Sequence, residues 1–214
     1  MFITFEGIDG SGKTTQIAKL REFLGNFFPE REVVVSKEPG GTPIGARIRQ
    51  EILHGDDIDK RTELLLYLAD RAEHVAKLIK PALDRGAIVI SDRYSDSTIC
   101  YQSAGRKLDE DVIMTCNEFS SHGLTPDLTV LLDIEAHISK NRVESSGEKK
   151  DRLESSKIDF FERTREKFLE LSEGETVAEG GRWLVLSGDD DVDIIADRVA
   201  KAVNCMLTHQ KVEV

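Results

Sequence analysis

Five short apolar runs punctuate the chain: Phe2–Glu6, Glu32–Lys37, Ala87–Ser91, Leu128–Asp133 and Trp183–Ser187. Stretches such as Ala87-Ile88-Val89-Ile90 and Leu128-Thr129-Val130-Leu131-Leu132 are apolar at nearly every position. Continuous apolarity over so short a length suits parallel strands covered on both faces. Between the runs the apolar residues recur with helical spacing. They predict helices over Lys13–Asn26, Pro43–Leu53, Thr62–Arg85, Glu110–Ser120, Ala136–Arg142, Ile158–Leu171 and Val192–Met206, with Pro81 interrupting the third near its end. Strands alternating with helices call for an α/β architecture: a three-layer, doubly wound, five-stranded parallel sheet flanked by helices. No repeat or low-complexity linker divides residues 1–214, so a single domain is expected. The polar run Glu144–Ser156 reads as an exposed, mobile loop, and residues 142–156 as a short lid inserted in that domain.

Composition narrows the partners. The chain has 214 residues, long enough to fill one α/β core. A formal net charge of −11 argues against a nucleic-acid polymer, but leaves room for a small anion if arginines gather locally. No apolar run approaches the ~20 residues that cross a bilayer, and Met1 leads directly into a strand, which leaves no room for a signal peptide. Cys100, Cys116 and Cys205 form no C-x-x-C pair and read as free thiols in a reducing, cytoplasmic setting. The histidines show no zinc-ligand spacing.

The first strand runs into Phe5-Glu6-Gly7-Ile8-Asp9-Gly10-Ser11-Gly12-Lys13-Thr14-Thr15-Gln16. Gly7, Gly12, Lys13 and Thr14 fit G-x-x-x-x-G-K-[ST], the P-loop pattern, in its required strand-before, helix-after context. Glycines let backbone N–H groups curl around phosphate oxygens, and the new helix adds free amides and the positive end of its dipole. The backbone of Gly7, Ile8, Asp9, Gly10, Ser11 and Gly12 would cradle the phosphates of a nucleoside triphosphate together with Lys13, Thr14 and Thr15, and the Thr14 hydroxyl would ligate Mg²⁺. A glycine-rich turn without a ligand is the bland alternative.

Ligands of doubly wound sheets sit at the carboxyl ends of the strands. The second strand ends in Lys37-Glu38-Pro39-Gly40-Gly41-Thr42-Pro43, where Thr42 and Pro43 suit an N-cap and first helical position. Glu38 faces the expected crevice and could organise Mg²⁺ waters or a sugar hydroxyl, or simply be solvated. The third strand ends in Ser91-Asp92-Arg93-Tyr94. An acidic residue there is the Walker B arrangement for Mg²⁺. Asp133 ends the fourth strand and rivals it, but Asp92 is preferred because Arg93 stands beside it, a guanidinium suited to a transferring phosphoryl. Arg93 could instead be a structural partner of Asp92, and Asp133 a helix cap.

FEGIDGSGKTT, KEPGGTP, DRYSDSTICYQ, TPDLTVLLD and DRLE stand here in the order and spacing of bacterial thymidylate kinases, which the sequence resembles over nearly its whole length. The resemblance implies a P-loop NTPase fold and transfer of the γ-phosphoryl of ATP to dTMP with Mg²⁺, usually by a homodimer. It gives Tyr67 as the ring stacked on thymine and Arg71, one helical turn on, as the donor to a thymine carbonyl. The residues alone allow Tyr67 to be core lining and Arg71 a partner of Glu63 or Glu73. By the same resemblance Thr98 reads the base edge, Tyr101 lies under the deoxyribose, Gln102 and Arg49 line the pocket, Asp9 contacts the acceptor's 3′-OH, and Arg93 clamps both nucleotides' phosphates. The P-loop carries no arginine, so the lid must supply the mobile cation, with Arg152 first, Arg142 second and Lys149 in support. An adenine-contacting segment between Gly188 and Val192 is implied likewise. Another P-loop kinase, or a nucleotide-dependent switch, would share the loop; the switch reading suffers from the absence of N-K-x-D.

Overall fold

A computed structural model describes residues 1–145, 152–153 and 157–208. Five strands, β1 (Phe2–Glu6), β2 (Val33–Lys37), β3 (Ile88–Asp92), β4 (Leu128–Asp133) and β5 (Trp183–Ser187), form one sheet in the order β2-β3-β1-β4-β5. Every pairing is parallel. Side chains alternate across a strand, so each central strand supplies both faces. On one face Ile3, Phe5, Ile90 and Val130 pack with Ile17, Leu20 and Leu24 of α1 (Lys13–Phe27) and Ile195 and Val199 of α9 (Val192–Leu207). On the other, Leu131 and Trp183 meet Phe160, Phe161 and Phe168 of α8 (Ile158–Ser172), while Phe2 and Val89 meet Val75, Ile79 and Ala82. The doubly wound expectation is met.

Boundaries moved where local geometry outvoted the apolar pattern. β3 begins and ends one residue later than expected, which brings Asp92 into the ladder opposite Phe5 of β1 and Lys37 of β2. The long helix expected over Thr62–Arg85 is three pieces: α3 (Lys60–His74), a π-helical turn Val75–Ile79, and α4 (Lys80–Asp84). Proline has no N–H and its ring crowds the carbonyl four residues back. The chain widens just before Pro81, Lys80 N–H reaching back to Val75 O, and Pro81 then sits in the first turn of α4. Asp59 rather than a later residue caps α3, its carboxylate accepting from Arg61 N–H. The other α-helices of the described residues are α2 (Pro43–His54), α5 (Ser95–Thr98), α6 (Glu110–Ser121) and α7 (Ala136–Ser145). Thr42 and Pro43 start α2 as the sequence implied, the Thr42 hydroxyl accepting from Gly45 N–H. α5 runs on into a π-helical segment, Ile99–Gly105, that the sequence reading left unassigned. Lys149, offered as a supporting cation, lies outside the described residues.

Candidate active site

β1 stops at Glu6 because the next residue must leave the ladder. Gly7 stands at φ 131, and a Cβ there would meet the Leu132 carbonyl oxygen at 2.5 Å. The loop closes at Gly12, φ 97, and α1 begins at Lys13. Lys13 is buried and its ammonium lies on the loop, donating to Gly7 O at 3.0 Å, Ile8 O at 3.1 Å and Ser11 Oγ at 3.4 Å. Burial, with the positive charge of Arg93 close by, lowers its pKa to about 8 against the opposing pull of Asp92, Asp9 and Glu6. A phosphate anion in the cradle would favour the charged form. Ile8 and Ser11 turn their side chains into the protein, so any phosphate contact they make is through backbone.

Arg93 follows Asp92 at φ 71, a left-handed position that a side chain adopts at a cost. Its guanidinium is surrounded by acceptors. Nη1 donates to Gly7 O at 3.0 Å and Ser97 Oγ at 3.1 Å; Nη2 donates to Asp9 Oδ1 at 2.6 Å and Tyr101 OH at 3.1 Å. Cζ lies 4.9 Å from the Tyr101 ring centroid. The pairing with Asp9 replaces the alternative in which Arg93 served Asp92. Burial disfavours the Asp9 charge, but Arg93 and Lys13 outweigh it and hold the carboxyl below its ordinary range. Asp133, the rival Walker B carboxylate, is engaged by Arg165 at 2.7 and 2.9 Å.

Two cavities meet at Arg93. The larger, about 570 Å³, runs along the P-loop past Gly10, Gly12, Lys13, Thr14 and Thr15 to Asp92 and Arg142. The smaller, about 80 Å³, is lined by Tyr67, Arg71, Thr98, Tyr101 and Gln102. Asp9, Glu38, Arg49 and Arg93 line both. Every residue named from the sequence for the acceptor thus faces one space. Arg71 is fully buried, donating to Glu38 Oε2 at 2.9 Å, Asn117 Oδ1 at 2.6 Å and Thr98 Oγ1 at 2.9 Å, so its carboxylate partner is Glu38 and neither Glu63 nor Glu73. His74 takes the other Glu38 oxygen at 2.8 Å. Glu38 is therefore a buried carboxylate with both oxygens occupied, not a solvated one.

Arg152 is not brought to the phosphate cradle. Its Nε donates to Ile52 O at 2.9 Å, its backbone N–H to Leu53 O at 3.1 Å, and its Nη2 to Glu63, which is wholly buried. A cation committed to a buried carboxylate does not also roam over a neighbouring site. Arg142 does face the larger cavity, bonded to Gly188 O at 2.8 Å and Asp189 Oδ1 at 2.7 Å. The sequence reading missed Lys37 in the larger cavity and Leu53 and Leu153 in the smaller. The strand-end rule that singled out Glu38 could have found Lys37, its immediate neighbour.

A loop-bound lysine, a strand-end aspartate and an arginine shared by two cavities define a P-loop phosphotransferase of the nucleoside monophosphate kinase class. A family model described as Thymidylate kinase matches residues 5–196. A thymidylate kinase of Bifidobacterium longum (strain DJO10A) is 44% identical over 200 residues, covering 91% of this chain and 93% of its own. One of Clavibacter michiganensis is 49% identical over 187 residues, covering 87% and 86%. The crystal structure of thymidylate kinase from Ehrlichia chaffeensis superposes with a TM-score of 0.77 at 33% identity, covering 95% of this chain and 98% of that one. The chain belongs to the thymidylate kinase family, whose members transfer the γ-phosphoryl of ATP to dTMP.

Glu6 lies beneath this site, accepting from Tyr94 N–H at 2.8 Å and Ser97 Oγ–H at 2.5 Å. Burial, reinforced by the charge of Asp96, raises its carboxyl from an ordinary 4.5 to about 8. Across that window the folded protein keeps a proton that the unfolded chain has lost, so stability falls as pH rises. Melting temperature should drop between roughly pH 5 and 8 in the wild type and stay flatter in Glu6→Gln. Parallel curves for the two proteins would contradict the assignment.

Proposed function

We propose that this chain converts dTMP and ATP to dTDP and ADP, with the triphosphate in the larger cavity and the monophosphate nucleotide in the smaller. The observation that carries the reading is that Arg93 and Asp9 line both. A group between two phosphates can balance charge on the donor and acceptor sides of a phosphoryl in transit. Lys13 reaches the β- and γ-phosphates, the loop amides hold them, and Asp9 orients the acceptor through its sugar hydroxyl. The acceptor oxygen belongs to a phosphate already ionised near neutral pH, so the protein needs no general base. Tyr67 stacks on the base, Arg71 and Thr98 address its edge, Tyr101 supports the sugar, and Arg49 stands near the acceptor phosphate. Arg142 takes the place first considered for Arg152, and its bond to Gly188 ties it to the segment expected beside adenine.

The oxygen donors suit Mg²⁺. The Thr14 hydroxyl and Asp92 carboxylate line the same cavity, and a hard cation that keeps most of its waters needs only one or two such side chains beside substrate phosphates. Bound there, it would neutralise charge on the β- and γ-oxygens. Glu38, with Arg71 and His74 on its oxygens, would act only through water. The described helices include none long and apolar enough to cross a membrane. We place the enzyme in the cytoplasm, as one domain with its lid over residues 142–156, working as a homodimer. Leu65 on α3 and Val112 and Phe119 on α6 support the dimer, since all are large, apolar and exposed.

ADP release should be fastest with dTMP among dTMP, dCMP and AMP, and Arg93→Ala should lower kcat on the order of 10³-fold. Faster turnover of dCMP or AMP, or an unimpaired Arg93→Ala, would falsify the reading. Light scattering should show Phe119→Glu to be a monomer and the wild type a dimer; equal masses would remove these helices from the interface.

A further inference from the structure

The buried carboxylate of Glu63 has no part in the mechanism above, yet it gathers side chains from two distant segments. Its Oε1 accepts from Gln102 Nε2 at 3.0 Å and Arg106 Nε at 2.9 Å. Its Oε2 accepts from Arg106 Nη2 at 3.1 Å and from Arg152 Nη2. Burial opposes its charge, but the hydrogen bonds from Arg106, the charges of Arg106 and Arg152, and the bond from Arg152 outweigh that, leaving the pKa lowered. Glu63 is therefore ionised at neutral pH, and an ionised carboxylate only accepts.

That restriction fixes Gln102. An amide has a donor end and an acceptor end of nearly the same shape. With a carboxylate beside it, only the NH₂ end can face Glu63, and Oε1 is left over. Among the described residues no donor is bonded to that oxygen, and Gln102 lines the smaller cavity. On the dTMP reading, which this inference rests on, we infer that Glu63 sets the hydrogen-bonding sense of the base pocket by holding Gln102 with its carbonyl oxygen toward the ligand. A carbonyl there meets the N3–H of thymine or uracil favourably. It meets the N3 lone pair of cytosine unfavourably. Arg71, a donor only, discriminates in the same sense at the neighbouring position, because thymine offers an oxygen where cytosine carries an amino group. Glu63 is thus a positioning residue for base selectivity, acting through Gln102. Arg106 and Arg152 keep it charged in a buried place, and Arg152 also brings Leu153 into the pocket wall through its bond to Leu53 O.

The test is a selectivity ratio, kcat/KM for dTMP over that for dCMP, with KM for ATP measured beside it. Wild type must first prefer dTMP; if it does not, the substrate reading falls, and the inference with it. Glu63→Gln replaces an obligate acceptor by a group that also donates, so Gln102 is free to turn. The ratio should drop about 10-fold, the size expected for one hydrogen bond matched or mismatched in a buried site, with KM for ATP unchanged. Arg152→Ala leaves the carboxylate on Gln102 and should keep the wild-type ratio while raising KM for dTMP. An unchanged ratio in Glu63→Gln, or a rise in KM for ATP that parallels the rise for dTMP, would show Glu63 to be a structural group only. Should melting show Glu63→Gln unfolded, Gln102→Met carries the test with Glu63 and both arginines intact. A fallen ratio supports the assignment, and the wild-type ratio overturns it.

Discussion

The Arg93 guanidinium is held at the boundary of two cavities by a backbone that would relax elsewhere if it could. A left-handed residue directly after a strand costs on the order of 1–3 kcal/mol and persists only when its surroundings over-determine it. Here they do. Arg93 N–H continues the ladder onto Phe5 O, and the side chain finds acceptors on the P-loop, on Ser97 and on Tyr101. The register of β1 against β3, with Phe5 opposite Asp92, sets the P-loop and the arginine side by side. Shifting β3 by one residue would turn the Asp92 side chain to the other face of the sheet and displace Arg93 from the P-loop. The order β2-β3-β1-β4-β5 makes that neighbourhood possible, because the chain skips outward to β2 and returns to place β3 against β1.

A protein with a net charge of −11 handles anions here by keeping its cations local. Lys13, Lys37, Arg49, Arg93 and Arg142 line the larger cavity, opposed by Asp9, Glu38 and Asp92. Several arginines are tied down by buried carboxylates: Arg71 by Glu38, Arg106 and Arg152 by Glu63, and, away from both cavities' linings, Arg182 by Asp96. Such pairs are weak arguments for stability, since desolvation consumes much of the attraction, but removing one partner strands a buried charge at about 3–5 kcal/mol. Their effect is on geometry. Each carboxylate fixes a donor set that would otherwise have many rotamers, and the small cavity is walled by side chains fixed in this way.

Much of this was legible before any coordinates. Parallel strands announce themselves by continuous apolarity, and the strand-end rule sends attention to Asp92, Arg93 and Glu38. The P-loop adds Lys13 and Thr14. The π-helical Ile99–Gly105 segment was not legible, because apolar periodicity is written for turns of 3.6 residues and a wider turn scrambles it. The splitting of the helix at Val75–Ile79 had a visible cause in Pro81, though not a visible form. Arg152 was misplaced for a different reason. Its partner Glu63 is 89 residues away, and a charged residue in a polar run carries no mark of which distant carboxylate it will meet. The resemblance to known kinases placed Tyr67, Thr98 and Tyr101 where propensity alone would have left them as core.

The claim on which the mechanism stands is that one arginine serves two nucleotides at once. A crystal structure of the enzyme with dTMP and a non-transferable ATP analogue bound together measures this directly. The Arg93 guanidinium should lie about 2.7–3.1 Å from oxygens of both the γ-phosphate and the dTMP phosphate, the spacing of charge-assisted donors on a reacting centre. A guanidinium still bound only to Asp9 and Gly7, with both phosphates beyond its reach, would contradict it.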